Sequence, residues 1–149
     1  CEEAWQARGH TSSIHLEDFI PAKKEYQSTE LQKKWDIIKN VRKVITGALE
    51  KKRAEKIIGS SLEAHIKVFV SDEIKKIITN IHLDEIAITS SYELLSNESA
   101  ASGFVMDEIE GVRVEVEKAV GNKCNRCWKF TEALNDNQIC DRCEKAIQQ

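Results

Sequence analysis

Residues 124–143 read CNRCWKFTEALNDNQICDRC, which sets two Cys-x-x-Cys pairs apart by twelve residues. Each pair places two sulfur atoms on one side of a tight turn, and a short loop can bring both turns together around one tetrahedral Zn²⁺. Four thiolate ligands leave no coordination position open to a substrate. The spacing therefore predicts one structural zinc ion, with the ligands Cys124, Cys127, Cys140 and Cys143.

Other uses of these cysteines match the sequence less closely. Two disulfides could form on oxidation, but a secreted disulfide scaffold spreads its bridges through the whole chain, and the fifth cysteine, Cys1, has no partner motif. A thioredoxin-like redox site needs one such pair after a strand, not two. Iron accepts the same ligands, although the short spacing favours zinc. Basic residues beside the ligands can offset the negative charge and lower the thiol pKa values: Lys123, Arg126, Lys129 and Arg142.

A long helix is predicted well before the cysteines. Residues 30–56 carry apolar side chains at three- and four-residue steps, which is typical of an amphipathic helix that Gly59 then ends. Trp35 falls on the apolar face and is expected in the core. Gly47 interrupts the helix at a cost of roughly 1 kcal/mol relative to alanine. It either permits close approach of another backbone or is simply tolerated.

Strand patterns follow the helix. Residues 64–70 and 112–117 alternate apolar and polar side chains, and residues 86–90 predict a further strand. Residues 72–81 repeat isoleucine at helical spacing, and residues 97–103 are small and polar, which predicts a loop. We therefore expect an α+β fold: a long helix plus a small mixed sheet with a packed helix, ending in a four-cysteine zinc ribbon.

The charge distribution favours a basic surface that binds phosphate groups. The formal net charge is −3, which taken alone argues against a dedicated nucleic-acid binder. Residues 33–56 nevertheless hold nine basic and three acidic residues, for a local charge of +6. Such a chain can present one face to phosphate and stay soluble. No apolar run approaches the roughly 20 residues that span a bilayer, and we expect a cytoplasmic protein without a membrane partner.

Three stretches resemble bacterial isoleucyl-tRNA synthetases. Residues 123–128, KCNRCW, resemble a turn of the zinc finger that ends these synthetases, and that finger is related to the one ending the formamidopyrimidine-DNA glycosylases. Residues 13–19, SIHLEDF, resemble the synthetase segment S-[VI]-H-L-x-D-[FWY]-P, although Ile20 precedes Pro21. Residues 35–64 resemble the long helix of the anticodon domain and its following turn. The catalytic proline and helix–two-turn–helix of the glycosylases are not found in the sequence.

The resemblance implies a tRNA-binding fragment of a class I aminoacyl-tRNA synthetase. The family's H-I-G-H and K-M-S-K-S signatures do not occur in the chain, so we expect no enzyme activity here, and ATP only in an absent catalytic domain. The first residue is Cys1 and not Met, as in a piece of a longer protein. The expected partners are the rest of a monomeric synthetase and isoleucine tRNA, whose anticodon arm the fragment would position for aminoacylation.

On this resemblance the chain divides into three parts. Residues 1–28 form a lead-in segment from the preceding anticodon-binding region. Residues 29–117 form a helix and small α+β junction domain that binds tRNA, and residues 118–149 form the four-cysteine zinc ribbon. The ribbon has little apolar material, so zinc binding, worth on the order of 10–16 kcal/mol, would supply most of its folding energy.

Candidate tRNA contacts lie on the basic helix and around the first Cys-x-x-Cys turn. Basic side chains of the helix can contact phosphate or can simply be solvated. Trp128 can stack on an unpaired base, worth roughly 1–3 kcal/mol, or can shield the metal and pack the ribbon. The alternatives to tRNA binding are a structural zinc module that braces the synthetase and a DNA-binding zinc ribbon. The candidate contacts are Lys39, Arg42, Lys43, Arg53, Arg126, Trp128 and Lys129.

Overall fold

The structure is a computed structural model that describes residues 1–97 and 102–148. The chain divides into two compact units, Cys1–Leu31 and Gln32–Gln149. The loop predicted for residues 97–103 falls mostly outside the described residues.

The helices are α1 (Glu2–Gln6), α2 (Thr29–Ala54), α3 (Asp72–Ile78), α4 (Leu83–Ala87) and α5 (Asp141–Ile147). The strands are β1 (Ala64–Val70), β2 (Ser91–Ser96), β3 (Phe104–Met106), β4 (Ile109–Lys118), β5 (Asn122–Lys123) and β6 (Phe130–Thr131).

The first unit is mostly irregular. After α1 it contains two short 3-10 turns, at Ile14–Leu16 and Lys24–Tyr26. The indole of Trp5 stacks on the imidazole of His10 with ring centroids 3.6 Å apart. No residue of this unit is buried, so local contacts of this kind hold it together. Its exposed large apolar side chains include Leu16, Phe19, Ile20 and Tyr26.

Helix α2 supplies one wall of the core of the second unit. Its apolar positions between Ile38 and Leu49 are buried, at the three- and four-residue steps that the sequence predicts. Trp35 lies one turn before this stretch and is 46% exposed, whereas Ile38 is 1% exposed. The prediction that Trp35 belongs to the core is therefore wrong, because the helix begins beyond the edge of the layer it packs against.

The end of α2 is set by a residue other than glycine. Lys56 adopts a left-handed backbone conformation with φ of 58°. The N–H of Ile57 then donates to the carbonyl of Lys52 at 3.0 Å, which satisfies one of the last helical carbonyls in the manner of a Schellman motif. The helix thus ends at Ala54, and the prediction that Gly59 ends it is wrong.

A mixed sheet with the strand order β2-β1-β4-β3 packs against α2. Strand β1 pairs in parallel with β2 and antiparallel with β4, and β3 adds antiparallel to β4. Alternate side chains of the central strands are buried, such as Ile66 and Val68 on β1 opposite Val116 and Val114 on β4. The predicted α+β fold, with a long helix and a small mixed sheet, is confirmed.

The segment between β1 and β2 departs from the prediction. The strand predicted for residues 86–90 is wrong, because Leu83–Ala87 form α4 and Ile88 ends it with a left-handed φ of 57°. Apolar residues at the first, fourth and fifth positions of α4 form a helix face. In a run this short, the same apolar residues also fit the pattern of a strand. The strand that pairs with β1 lies further on, at Ser91–Ser96. The sequence patterns do not predict strand β3 at all.

Gly47 gives room to an aromatic ring, not to a backbone. A Cβ at this position would lie 2.7 Å from Cε1 and 2.9 Å from Cζ of Phe104 on β3. We expect Gly47→Ala to lower the free energy of unfolding by roughly 1–3 kcal/mol through overpacking, although alanine alone favours a helix by about 1 kcal/mol. Urea denaturation of the 149-residue chain measures this loss.

Two further variants make this prediction specific. Phe104→Leu combined with Gly47→Ala should recover stability, because the shorter side chain vacates the space that the new methyl group needs. Asn40→Ala, at an exposed position of the same helix, should stabilise slightly or leave stability unchanged. Equal stability of Gly47→Ala and Asn40→Ala would contradict the contact with Phe104.

Candidate metal centre

The first Cys-x-x-Cys pair lies in a turn between two very short strands. Strands β5 and β6 pair antiparallel, with Lys123 opposite Phe130. The N–H of Trp128 donates to the carbonyl of Cys124, and the N–H of Cys124 donates to the carbonyl of Lys129, both at 2.9 Å. These bonds close the turn, so both cysteine side chains leave it on the same side.

The second pair belongs to the start of a helix. Cys140 is the N-cap of α5, and Cys143 lies in the first turn of that helix. A side-chain turn precedes it, in which Oδ1 of Asn135 accepts from the N–H of Ile139 at 3.1 Å. The N–H of Asn125 donates to the carbonyl of Gln138 at 3.0 Å and so ties the two pairs together. Asn135 is not among the residues predicted from the sequence, although asparagine and aspartate are the residues that make such turns.

The four sulfur atoms converge on one point. They all lie within 4.8 Å of one another, and Sγ of Cys127 is 3.7 Å from Sγ of Cys140. A tetrahedron with metal–sulfur bonds of about 2.3 Å has sulfur–sulfur edges of about 3.8 Å. Cys124 and Cys143 are buried, whereas Cys127 and Cys140 are half-buried. The cluster could therefore hold one metal ion, with sulfur ligands only.

The environment of the cluster favours a thiolate at one ligand and a thiol at another. Burial acts to raise the pKa of Cys124, but backbone N–H groups of Cys127, Cys140 and Arg126 outweigh it and lower the pKa to about 6. Burial raises the pKa of Cys127 to about 11, although the N–H of Lys129 acts the other way. Because metals bind thiolates, binding of an ion through Cys127 at neutral pH would displace its proton.

Two of the basic residues around the cluster face α4. Nζ of Lys129 lies 2.5 Å from Oδ2 of Asp84, and both side chains are 18% exposed. Arg142 pairs with Glu85 at 3.3 Å, and both of these side chains are largely exposed. The hydroxyl of Ser90 accepts from the N–H of Phe130 at 2.6 Å and donates to the carbonyl of Leu62. These contacts join the ribbon to the end of the sheet.

The other two basic residues beside the candidate ligands, Lys123 and Arg126, lie near an exposed tryptophan in the sequence. Trp128 is 58% exposed and has a left-handed φ of 66°. Nζ of Lys123 lies 5.3 Å from the centroid of its ring, within the range of a cation–π contact. Arg126 is exposed in the same turn. The structure thus places the ammonium group of Lys123 against an exposed aromatic face, with Arg126 exposed in the same turn.

The four predicted contacts on α2 all have partners within the chain. Lys39 pairs with Asp36 at 2.7 Å and Lys43 with Glu108 at 3.0 Å. Arg53 pairs with Glu50 one turn before it. Nε of Arg42 donates to the carbonyl of Ile86 on α4 at 3.0 Å.

Curated proteins similar to this chain are isoleucine–tRNA ligases. The one from Bartonella henselae is 43% identical over 138 residues, which are 91% of this chain and 14% of that protein. The one from Bradyrhizobium diazoefficiens is 41% identical over 139 residues, again 91% and 14%. The one from Ruegeria pomeroyi is 38% identical over 152 residues, or 98% and 16%. No family model matches the chain.

These comparisons confirm the resemblance seen in the sequence: the chain is homologous to isoleucine–tRNA ligases over about nine-tenths of its length. It spans only about one seventh of the length of these relatives. Across residues 1–97 and 102–148, every helix is too short or too polar to cross a membrane.

Proposed function

We propose that this homologue of isoleucine–tRNA ligases is a tRNA-binding piece of such an enzyme, which helps to position the anticodon arm of isoleucine tRNA. The observation that carries the proposal is the identity of 38–43% to ligases of that name. In the whole protein, ATP-dependent aminoacylation would belong to parts outside this chain. From a role in translation we infer a cytoplasmic location.

The metal in this proposal is zinc, held by Cys124, Cys127, Cys140 and Cys143. Zinc fits a set of four thiolates whose sulfur atoms all lie within 4.8 Å of one another. When bound, it supplies a cross-link between the two Cys-x-x-Cys turns and no open coordination position. The role of the ion is therefore structural, and the ribbon over residues 118–149 is the part of the chain that depends on it.

The surface most suited to RNA is the one formed by Lys123, Arg126 and Trp128. An unstacked base can lie on the exposed indole, and the two cations can contact the adjoining phosphates. The hydrogen bonds that close the turn hold the backbone of Trp128 in its left-handed conformation, and the residue is 58% exposed.

The basic face of α2 forms a second, weaker candidate surface. Lys39, Lys43 and Arg53 lie in ion pairs with at least one largely exposed member. Such pairs contribute about 0–1 kcal/mol each, so a phosphate can replace the carboxylate at little cost. Arg42 differs because its partner is a backbone carbonyl.

One observation supports the alternative in which the zinc ribbon braces the synthetase, and it concerns Lys129. The ammonium group of Lys129 is directed at Asp84 and largely shielded from solvent. An RNA contact by Lys129 would require this pair to break. In this proposal Lys129 therefore attaches the ribbon to α4, and the exposed residues of the turn contact RNA.

The proposal is tested by fluorescence anisotropy of the zinc-loaded chain with isoleucine tRNA, an unrelated tRNA and duplex DNA of equal length. We expect the tightest binding to isoleucine tRNA. Trp128→Ala should weaken it by about 5–150-fold, the equivalent of losing a base stacked on an aromatic ring. Arg126→Ala should reduce the slope of log affinity against log salt by about 0.7–0.9 if it contacts phosphate.

Lys76→Ala provides the matched control, because Lys76 is an exposed lysine on α3 outside both proposed surfaces. Its affinity should change less than twofold. Equal affinity of the parent chain for all three nucleic acids would contradict specific tRNA binding. Equal losses in Trp128→Ala and Lys76→Ala would favour the bracing role for the ribbon.

A further inference from the structure

One of the contacts that join the ribbon to the rest of its unit is a shielded ion pair between Lys129 and Asp84. Lys129 follows the first Cys-x-x-Cys turn, and its carbonyl accepts the hydrogen bond from Cys124 that closes that turn. Its side chain ends on Asp84 of α4. The backbone of Lys129 is therefore fixed by the metal-binding turn while its ammonium group is fixed by the helix.

Asp84 depends on that contact. Its Oδ2 atom contacts Lys129, whereas its Oδ1 atom is buried without a hydrogen-bond partner among the described residues. His82 is the next group with a possible charge, with Nδ1 4.0 Å from Oδ1. A largely shielded carboxylate that loses a close cation is costly to keep charged. Withdrawal of Lys129 would therefore act directly on the helix that carries Asp84.

Helix α4 is short, so loss of the contact between Lys129 and Asp84 can change its conformation. It has five residues and ends at Ile88 in a left-handed conformation, which a β-branched residue adopts only under strain. Its Ile86 carbonyl accepts from Arg42 on α2. A series of direct contacts thus runs from the metal-binding turn through Lys129 and Asp84 to one of the basic residues of α2.

We propose that Asp84 couples the metal occupancy of the ribbon to the conformation of α4 and, through the Ile86 carbonyl, to the position of Arg42. With the metal bound, the first turn is closed, Lys129 is held against Asp84 and α4 keeps the conformation seen here. Without the metal, the turn opens and α4 loses its counter-charge. This inference rests on the zinc site proposed above, because it assigns that site a partner elsewhere in the fold.

Two measurements on the 149-residue chain test the coupling. Hydrogen exchange, followed by mass spectrometry of peptides that cover residues 82–90, compares the zinc-loaded with the metal-free chain. Competition with a chromophoric chelator measures the zinc affinity. We expect exchange in α4 to be roughly tenfold faster without zinc, a change typical of coupled sites.

Lys129→Met separates this contact from general loss of the ribbon, because it leaves all four cysteines in place. In the zinc-loaded variant, exchange in α4 should approach the metal-free rate. By reciprocity the zinc affinity should fall by a similar factor, roughly tenfold. Asp84→Asn should give the same two changes. The double variant should be no worse than either single one, because one interaction can be lost only once.

Glu85→Gln is the matched control, since it neutralises the neighbouring carboxylate, whose pair with Arg142 is largely exposed. It should change neither measurement by more than about twofold. The inference is overturned if zinc binds normally and α4 exchange is the same with and without it, or if Lys129→Met behaves like Glu85→Gln. Failure of zinc to bind the parent chain at all would instead refute the proposed metal site.

Discussion

Removing the metal from this chain is expected to unfold residues 119–148 while the four-stranded sheet stays folded. Only Ala119, Cys124 and Cys143 are buried in that stretch, and the last two are candidate metal ligands. A ribbon without a core of its own takes its folding energy from the metal, which is worth on the order of 10–16 kcal/mol in structural zinc sites. The sheet has its own core with α2 and does not need the ion.

Amide NMR spectra before and after chelation measure this effect. Signals from α5 and from the two Cys-x-x-Cys turns should collapse to random-coil positions, and those from β1 and β4 should stay dispersed. Cys143→Ser should give the collapsed spectrum even with zinc present. Cys1→Ser is the control, because Cys1 is exposed and lies in the other unit. Dispersed α5 signals in the presence of a strong chelator would disprove a metal-dependent ribbon.

Gly121→Ala is expected to weaken zinc binding by about a hundredfold or more. Gly121 enters the ribbon with φ of 104°, and an added Cβ would overlap the carbonyl group of Thr131 and lie 2.9 Å from the N–H nitrogen of Glu132. Strained backbone at such a φ costs roughly 1–3 kcal/mol, and forced overlap adds about the same again. Neither neighbour is a side chain that could move away.

Zinc titration and thermal unfolding of the Gly121→Ala chain test this expectation. Gly9→Ala is the informative comparison, since Gly9 also has a positive φ, of 86°, but nothing lies within 4 Å of an added Cβ. It should leave the zinc affinity unchanged. A Gly121→Ala chain that binds zinc as tightly as the parent would show that β5 and β6 can pair without close approach of the two backbones.

The parts of the fold that the sequence predicts are those encoded over short distances. The cysteine spacing fixes a metal-binding turn within four residues, and the alternation in β1 and β4 requires only that one face be buried. The sequence also contains the information for two ion pairs, because opposite charges lie one helical turn apart. These are the pairs of Asp36 with Lys39 and of Glu50 with Arg53.

Features that depend on distant residues could not be predicted in this way. Nothing near Lys129 in the sequence points to Asp84, 45 positions before it. Lys43 likewise meets Glu108 across a separation of 65 residues. The α4 segment is mistaken for a strand because a run this short has the same apolar pattern in both structures, and only packing decides between them.

The place of Ser90 also bears on the order in which the chain acquires its structure during synthesis. Its hydroxyl joins Leu62 to Phe130, so the ribbon's docking site is made by residues that leave the ribosome before the ribbon does. Early domains generally fold as they emerge. The surface on which the ribbon docks would therefore be folded before the ribbon emerges. Binding of the ion would be among the last steps in the folding of this segment.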